Sequence, residues 1–175
     1  RAIPKLKQEG ITISLNPWME AGHLDRGRKL RTGQDFVTLC DFDGNQSELV
    51  ACMYDENWRK YFREFYSYII REIQPEVVWI EDDFRLHNHG ALHYGGCFCE
   101  HHMREFNKVL GTNYSRDEFV DRLFRKNPDE KVKEAFFQVN RSYIVDAAYF
   151  VADVVKNANP DTKIALMSSS HANHC

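Results

Sequence analysis

The sequence predicts an α/β fold built on a parallel sheet, and three observations carry that expectation. Short runs rich in apolar and β-branched residues, Ile11-Thr-Ile-Ser-Leu15, Val77-Val-Trp-Ile80 and Lys163-Ile-Ala-Leu-Met167, alternate with amphipathic helical segments. Each run gives way to a polar loop, as strands of a parallel sheet do before their crossover helices. The middle run ends in three consecutive carboxylates, Glu81, Asp82 and Asp83. That is the C-terminal end of a strand, where α/β barrels and open α/β sheets keep their chemistry.

The elements follow in order. Ala2 to Gln8 reads as the tail of a helix closed by Gly10, and the first strand ends at Asn16-Pro17-Trp18. Glu20 to Val50 is charged, Gly-dotted and weakly periodic, which predicts a long loop. Asp55 is placed to N-cap a helix whose apolar positions Trp58, Phe62, Phe65, Ile69 and Ile73 recur at helical spacing. After the Val77 to Ile80 strand comes a loop rich in Gly and His, then a helix from Glu100 to Leu110 that stops at Gly111. Ser115 and Glu118 form a capping box for a helix reaching Arg125, and Asn127-Pro128 breaks it. A long helix from Asp129 to Ala158 carries Val132, Phe136, Val139, Tyr143, Ala147, Phe150 and Val154 along one side. Asn159-Pro160-Asp161 then turns the chain into the last strand.

Three strands are few for a parallel sheet. The 175 residues are expected to form a single domain, residues 1–175, that is an excerpt of a larger (β/α)8 TIM-barrel catalytic domain. Such barrels typically need about 250 residues. The excerpt corresponds roughly to strands 3 to 5 with their helices.

Composition narrows the partners. Hydrophobic residues at 43% and charged residues at 28% are an ordinary globular balance, and the net charge of −3 gives nucleic acid or an anionic membrane no reason to bind. No apolar run approaches the roughly 20 residues that span a bilayer. No signal peptide is visible, so a bacterial cytoplasm is the expected compartment, although a chain opening at Arg1 leaves an earlier leader open. Five cysteines, two of them one residue apart, argue for metal-binding or buried free thiols and against a disulfide framework. Cys97-x-Cys99-x-x-His102 is a compact set of soft metal ligands.

The strand-end carboxylates are the candidate catalytic groups. Side chains alternate along a strand, so Glu81 and Asp83 share one side and Asp82 takes the other. Neighbouring carboxylates raise one another's pKa, which is how a general acid keeps its proton near neutrality. A solvated acidic cap paired with Arg85 is the plainer explanation of the same three residues.

Trp79-Ile-Glu-Asp-Asp-Phe84 resembles the fourth-strand motif of family-42 glycoside hydrolases, the bacterial β-galactosidases of clan A. The likeness continues through a loop with Cys-x-Cys, a helix of the His-Met-Arg-Glu-Phe-Asn-Lys-Val-Leu-Gly type, a long helix and Asn-Pro-Asp-Thr-Lys. It covers most of the chain from Ile11. The resemblance implies a retaining glycosidase in which Asp83 takes the acid/base position and Asp82 the place of an Asn that holds the sugar 2-hydroxyl. Both are substitutions, Asp for Glu and Asp for Asn. If the register slips by two, Glu81 takes the acid's place. The clan's nucleophile comes from the seventh strand, so none is assigned here.

Some members of that family carry a structural zinc on Cys-x-Cys-x-x-Cys, with a fourth Cys ahead of the third helix. The resemblance therefore implies zinc on Cys52, Cys97, Cys99 and His102, with His102 in place of a Cys and with Cys40 and Cys175 outside the set. Three Cys and one His fill a tetrahedron, which makes the zinc structural.

His87-x-His89 with His93 also suits a metal-dependent hydrolase, although the pair sits in a loop rather than at a strand end. Trp18, His23, His87, His89, Tyr94 and His171 all lie past strand ends and are candidates to line a sugar cleft. The expected partners are a carbohydrate and either the remainder of the barrel or further copies of the chain. A carbohydrate-binding pseudoenzyme and a purely structural domain are also compatible with these residues.

Overall fold

The computed structural model describes residues 2–17, 30, 31, 33–80, 84, 86, 92 and 96–167. In order these form α1 (Ala2–Gln8), β1 (Ser14–Leu15), β2 (Thr38–Cys40), β3 (Gln46–Ala51), α2 (Glu56–Ile73), β4 (Val77–Ile80), α3 (Glu100–Leu110), α4 (Arg116–Phe124), α5 (Glu130–Ala158) and β5 (Lys163–Leu166). The three expected strands make a parallel sheet in the order β1-β4-β5. Val77 to Ile80 pair in register with Lys163 to Leu166, whereas β1 pairs only through Ser14 and Leu15. The first strand is thus shorter than its sequence run, and Ile11 lies exposed.

The sheet has two unlike faces. Val78 and Ile80 are buried beneath the helices, and Trp79, pointing the other way, is 39% exposed. The covering helices are α2 and α5. Helix α2 starts where Asp55 accepts the Trp58 N–H and ends at Gln74 in the left-handed region, with Lys7 Nζ donating to the carbonyls of Ile73 and Gln74. Its fully buried stripe is Trp58, Phe62, Tyr66 and Ile70, strictly four apart. The expected Phe65, Ile69 and Ile73 sit half-buried on the flank, because the helix faces α5 with Trp58 and Phe62, whose ring centroids lie 6.1 and 5.5 Å from that of Phe150.

The segment from Glu20 to Val50 departs from expectation. It holds β2 and β3, an antiparallel hairpin with Thr38 opposite Ala51 and Cys40 opposite Gln46. All three residues of β2 are buried, so no alternation marks it in the sequence. The turn is built on Asp41, whose carboxylate accepts the N–H groups of Asp43 and Asn45 and the Asn45 side-chain amide. Gly44 sits at φ +95, with the Arg116 guanidinium packed against its Cα.

Two apolar clusters result. One lies between the sheet, the hairpin, α2 and the C-terminal part of α5. The other gathers Phe98, Phe106, Phe119, Val120 and Leu123 of the loop ahead of α3, α3 itself and α4 against Val132 and Val139 of α5. Among the described residues, no helix is long and apolar enough to cross a membrane.

Candidate metal centre

Four side chains converge where the two clusters meet. Cys52 leaves the end of β3, Cys97 and Cys99 occupy the loop ahead of α3, and His102 stands in that helix's first turn. One potential ligand atom from each lies within 4.8 Å of all the others, and all four residues are buried. The imidazole turns Nδ1 inward, 3.5 Å from the sulfurs of both Cys52 and Cys99. Cys99 is also the N-cap of α3, yet its side chain makes no cap bond because the sulfur faces the cluster. Cys40 lies alongside but outside the set, its amide N–H donating to Cys97 Sγ at 3.4 Å.

The donor set fits a metal dication. The three thiols differ in how readily they ionise. Burial pushes Cys52 and Cys97 well above the usual thiol range, and hydrogen bonds from Cys52 and then Cys97 hold Cys99 far below it. A dication among the sulfurs removes the cost of ionising the other two, since thiolate is the binding form. The backbone is already arranged for that: the amides of Cys40 and Cys99 donate to Cys97 Sγ, and the Tyr54 amide donates to Cys52. The His102 Nε2 is buried without a hydrogen-bond partner, which leaves Nδ1 as the ring's one engaged nitrogen. The cluster of three cysteines and one histidine can therefore hold a metal ion.

The surroundings fix the ligands. The His102 ring lies against Tyr143 and Tyr54, with ring centroids 4.6 and 5.1 Å away. Tyr143 is buried and its hydroxyl accepts the Met53 N–H at 2.8 Å. Burial raises its pKa well above the ordinary phenol value, so it stays a phenol. Next to His102, His101 Nε2 meets the Asp55 carboxylate at 3.2 Å, the same carboxylate that caps α2. The first turns of α2 and α3 are thereby tied to each other beside the cluster. The Phe98 N–H donates to the Cys40 carbonyl at 2.7 Å, which joins the ligand loop to the hairpin.

The structure thus brings together the four expected ligands. Glu81, Asp82, Asp83, Trp18, His23, His87, His89, Tyr94, His171 and Cys175 lie outside the described residues. What the sequence did not disclose is the cluster's surroundings. Tyr143 reads there only as a core position of α5, and nothing links Tyr54 or the Cys40 amide to Cys97.

The fold has a counterpart among solved structures. It is the beta-galactosidase from Bacillus circulans sp. alkalophilus, which matches with a TM-score of 0.62 and 15% sequence identity over 94% of this chain and 28% of that one. The chain thus spans less than a third of the length of that enzyme, and the likeness at this identity is one of fold. No protein family matches the sequence, and no curated protein does.

Proposed function

We propose that this chain is part of a (β/α)8 barrel of a retaining glycoside hydrolase of the family-42 type, with Asp83 as its general acid/base. The observation that carries the reading is the joint one of fold and position. A chain folded like part of a bacterial β-galactosidase runs its central parallel strand, β4, directly into Glu81-Asp82-Asp83. Retaining enzymes set two carboxyl groups about 5–5.5 Å apart, one as acid/base and one as nucleophile. Asp83 would protonate the leaving glycosidic oxygen and then take a proton from the attacking water. The nucleophile would come from a later strand of the complete barrel, and Asp82 would hold the sugar. Trp18, His23, His87, His89, Tyr94 and His171 would line the cleft, and the rest of the barrel or further copies would cover the exposed face around Trp79.

Within this reading the metal is zinc and its role structural. Zinc takes four Cys and His ligands in closed tetrahedral sites, with sulfur at about 2.3 Å. It would fasten the end of β3 to the loop that follows β4, and so steady the segment that leads from the acid to α3. No proton or bond of the reaction passes through it.

The test is hydrolysis of a chromogenic β-galactoside by the full-length protein, with Asp83→Asn beside it. Turnover should fall about 10²–10⁴-fold in the variant while the fold is kept. Loss of activity in Glu81→Gln with Asp83→Asn still active would move the acid by two residues. A second reading, sugar binding without hydrolysis, is favoured by Asp standing where the resembling family has Glu, since it is one methylene shorter. Calorimetric binding of galactosides without turnover would select it. Activity lost on chelation and regained with metal would instead favour a hydrolase using the His87/His89 loop.

A further inference from the structure

The two edge strands of the parallel sheet touch each other across its open face. Leu15 pairs with Val78 and packs against the core beneath the helices, so Asn16, one residue on, takes the side of Trp79. On the other flank Trp79 pairs with Ala165, and the Met167 N–H donates to the Ile80 carbonyl. Met167 therefore closes β5 on the same side as Asn16. The Asn16 side-chain amide meets the Met167 sulfur at 3.7 Å, although β4 lies between their strands. The contact bridges β4 where the chain passes from Ile80 into Glu81-Asp82-Asp83. A thioether is a weak acceptor, whereas a carboxamide carries two N–H donors and a carbonyl oxygen. An exposed amide resting on sulfur gives up little when a hydroxyl takes the sulfur's place.

We infer that Asn16 is a specificity-determining residue of the proposed glycosidase, its carboxamide exchanging the Met167 sulfur for a hydroxyl of the bound sugar. The inference rests on the glycosidase reading and deepens it by naming a residue that selects the substrate. Asn16 stands just past the C-terminal end of a parallel strand, which is where folds of this kind bind their ligands. Its amide can donate to one sugar hydroxyl and accept from a neighbouring one, a pairing that neither a lysine nor an ionised carboxylate offers. Asn16 does not titrate, so its part is to orient the sugar and not to move a proton.

The experiment sets the full-length protein and its Asn16→Ala and Asn16→Gln variants against a chromogenic β-galactoside and its monodeoxy analogues. On the parent sugar kcat/KM should fall about tenfold in Asn16→Ala. One deoxy analogue should already be about tenfold poorer for the wild type, and on that analogue Asn16→Ala should cost nothing further. Asn16→Gln keeps the amide but moves it by one methylene, so it should lose the same discrimination, and it decides the matter if the alanine variant does not fold. Where the wild type binds galactosides without turnover, calorimetric Kd values replace kcat/KM in the same comparison. Equal losses on the parent sugar and on every deoxy analogue, or no loss on any, would leave Asn16 a structural bridge to Met167 and overturn the inference. Wild-type protein that neither cleaves nor binds galactosides is a different result. It sinks the glycosidase reading itself, and this inference with it.

Discussion

The Asp41 carboxylate shows how much a single side chain fixes. It is 1% exposed, and its accepted hydrogen bonds hold the turn that brings Cys40 beside Cys97. Hydrogen bonds to charged groups contribute about 1.5–3 kcal/mol each, and Asp41→Ala leaves amides of the turn without their acceptor. The variant should lose about 3 kcal/mol of stability in urea titrations, and Asp41→Asn should lose less. Gly44 is more narrowly constrained. A Cβ there would lie 2.5 Å from an Arg116 nitrogen, but that guanidinium can move, so the cost of Gly44→Ala is set by the left-handed backbone and should be about 1–3 kcal/mol. At the candidate metal centre, the proposed zinc should be retained on four thiolates in His102→Cys, whereas His102→Ala should open the tetrahedron and weaken binding, both read by metal competition. Retention of full affinity in His102→Ala would remove the imidazole from the ligand set.

Among the elements, α4 gives the clearest test of a local signal. Ser115 accepts the Glu118 N–H and Glu118 accepts from the Ser115 amide, the reciprocal pair its sequence announces. Ser115→Ala should cost about 1 kcal/mol. The Ser115 amide holds the Glu118 carboxyl below its ordinary pKa. A depressed carboxyl contributes stability above its unfolded pKa and loses it as the pH falls through the folded value. The wild type should therefore shed this contribution on acidification; Glu118→Gln should remove that part of the pH–stability curve, whereas Ser115→Ala keeps the amide donor and should flatten it only in part. Such caps were legible because both partners sit within four residues of each other. The hairpin was not: a fully buried β2 offers no period of two, and the Asp43-Gly44 turn signal lay inside a charged stretch that reads as loop. The same divide runs through the metal centre. Cys97, Cys99 and His102 announce themselves by spacing, Cys52 needed a resemblance, and Tyr143 needed the fold, because contacts across so much chain leave no local pattern.

At the scale of the molecule, the metal would join β3 to the start of α3 across everything between them, including α2 and β4. A ligand bound only by the folded state stabilises it by about 4.1 kcal/mol at a thousandfold excess over Kd. Chelation should therefore lower the thermal midpoint markedly and reversibly, with little change in far-ultraviolet dichroism at low temperature. An unchanged midpoint would leave the cluster a set of buried thiols. The parallel sheet and its crossover helices were readable from the alternation of short apolar runs with helical segments, while the order β1-β4-β5 came from the fold.

Helix α5 has a consequence for how the molecule opens. Its 29 residues would span roughly 44 Å at about 1.5 Å per residue. Val132 and Val139 belong to the aromatic cluster, while Tyr143, Ala147, Phe150, Val151, Val154 and Val155 belong to the cluster under the sheet. One rigid rod thus serves as structural spine to two cores, and the switch from one to the other falls between Val139 and Tyr143. Neither core can dissolve without exposing half of the same helix, so sub-global openings should be suppressed. In native-state hydrogen exchange, amides on both halves of α5 should report one shared opening free energy. A proline at Asn140 should break that identity, leaving the two halves to exchange as separate foldons with separate denaturant sensitivities.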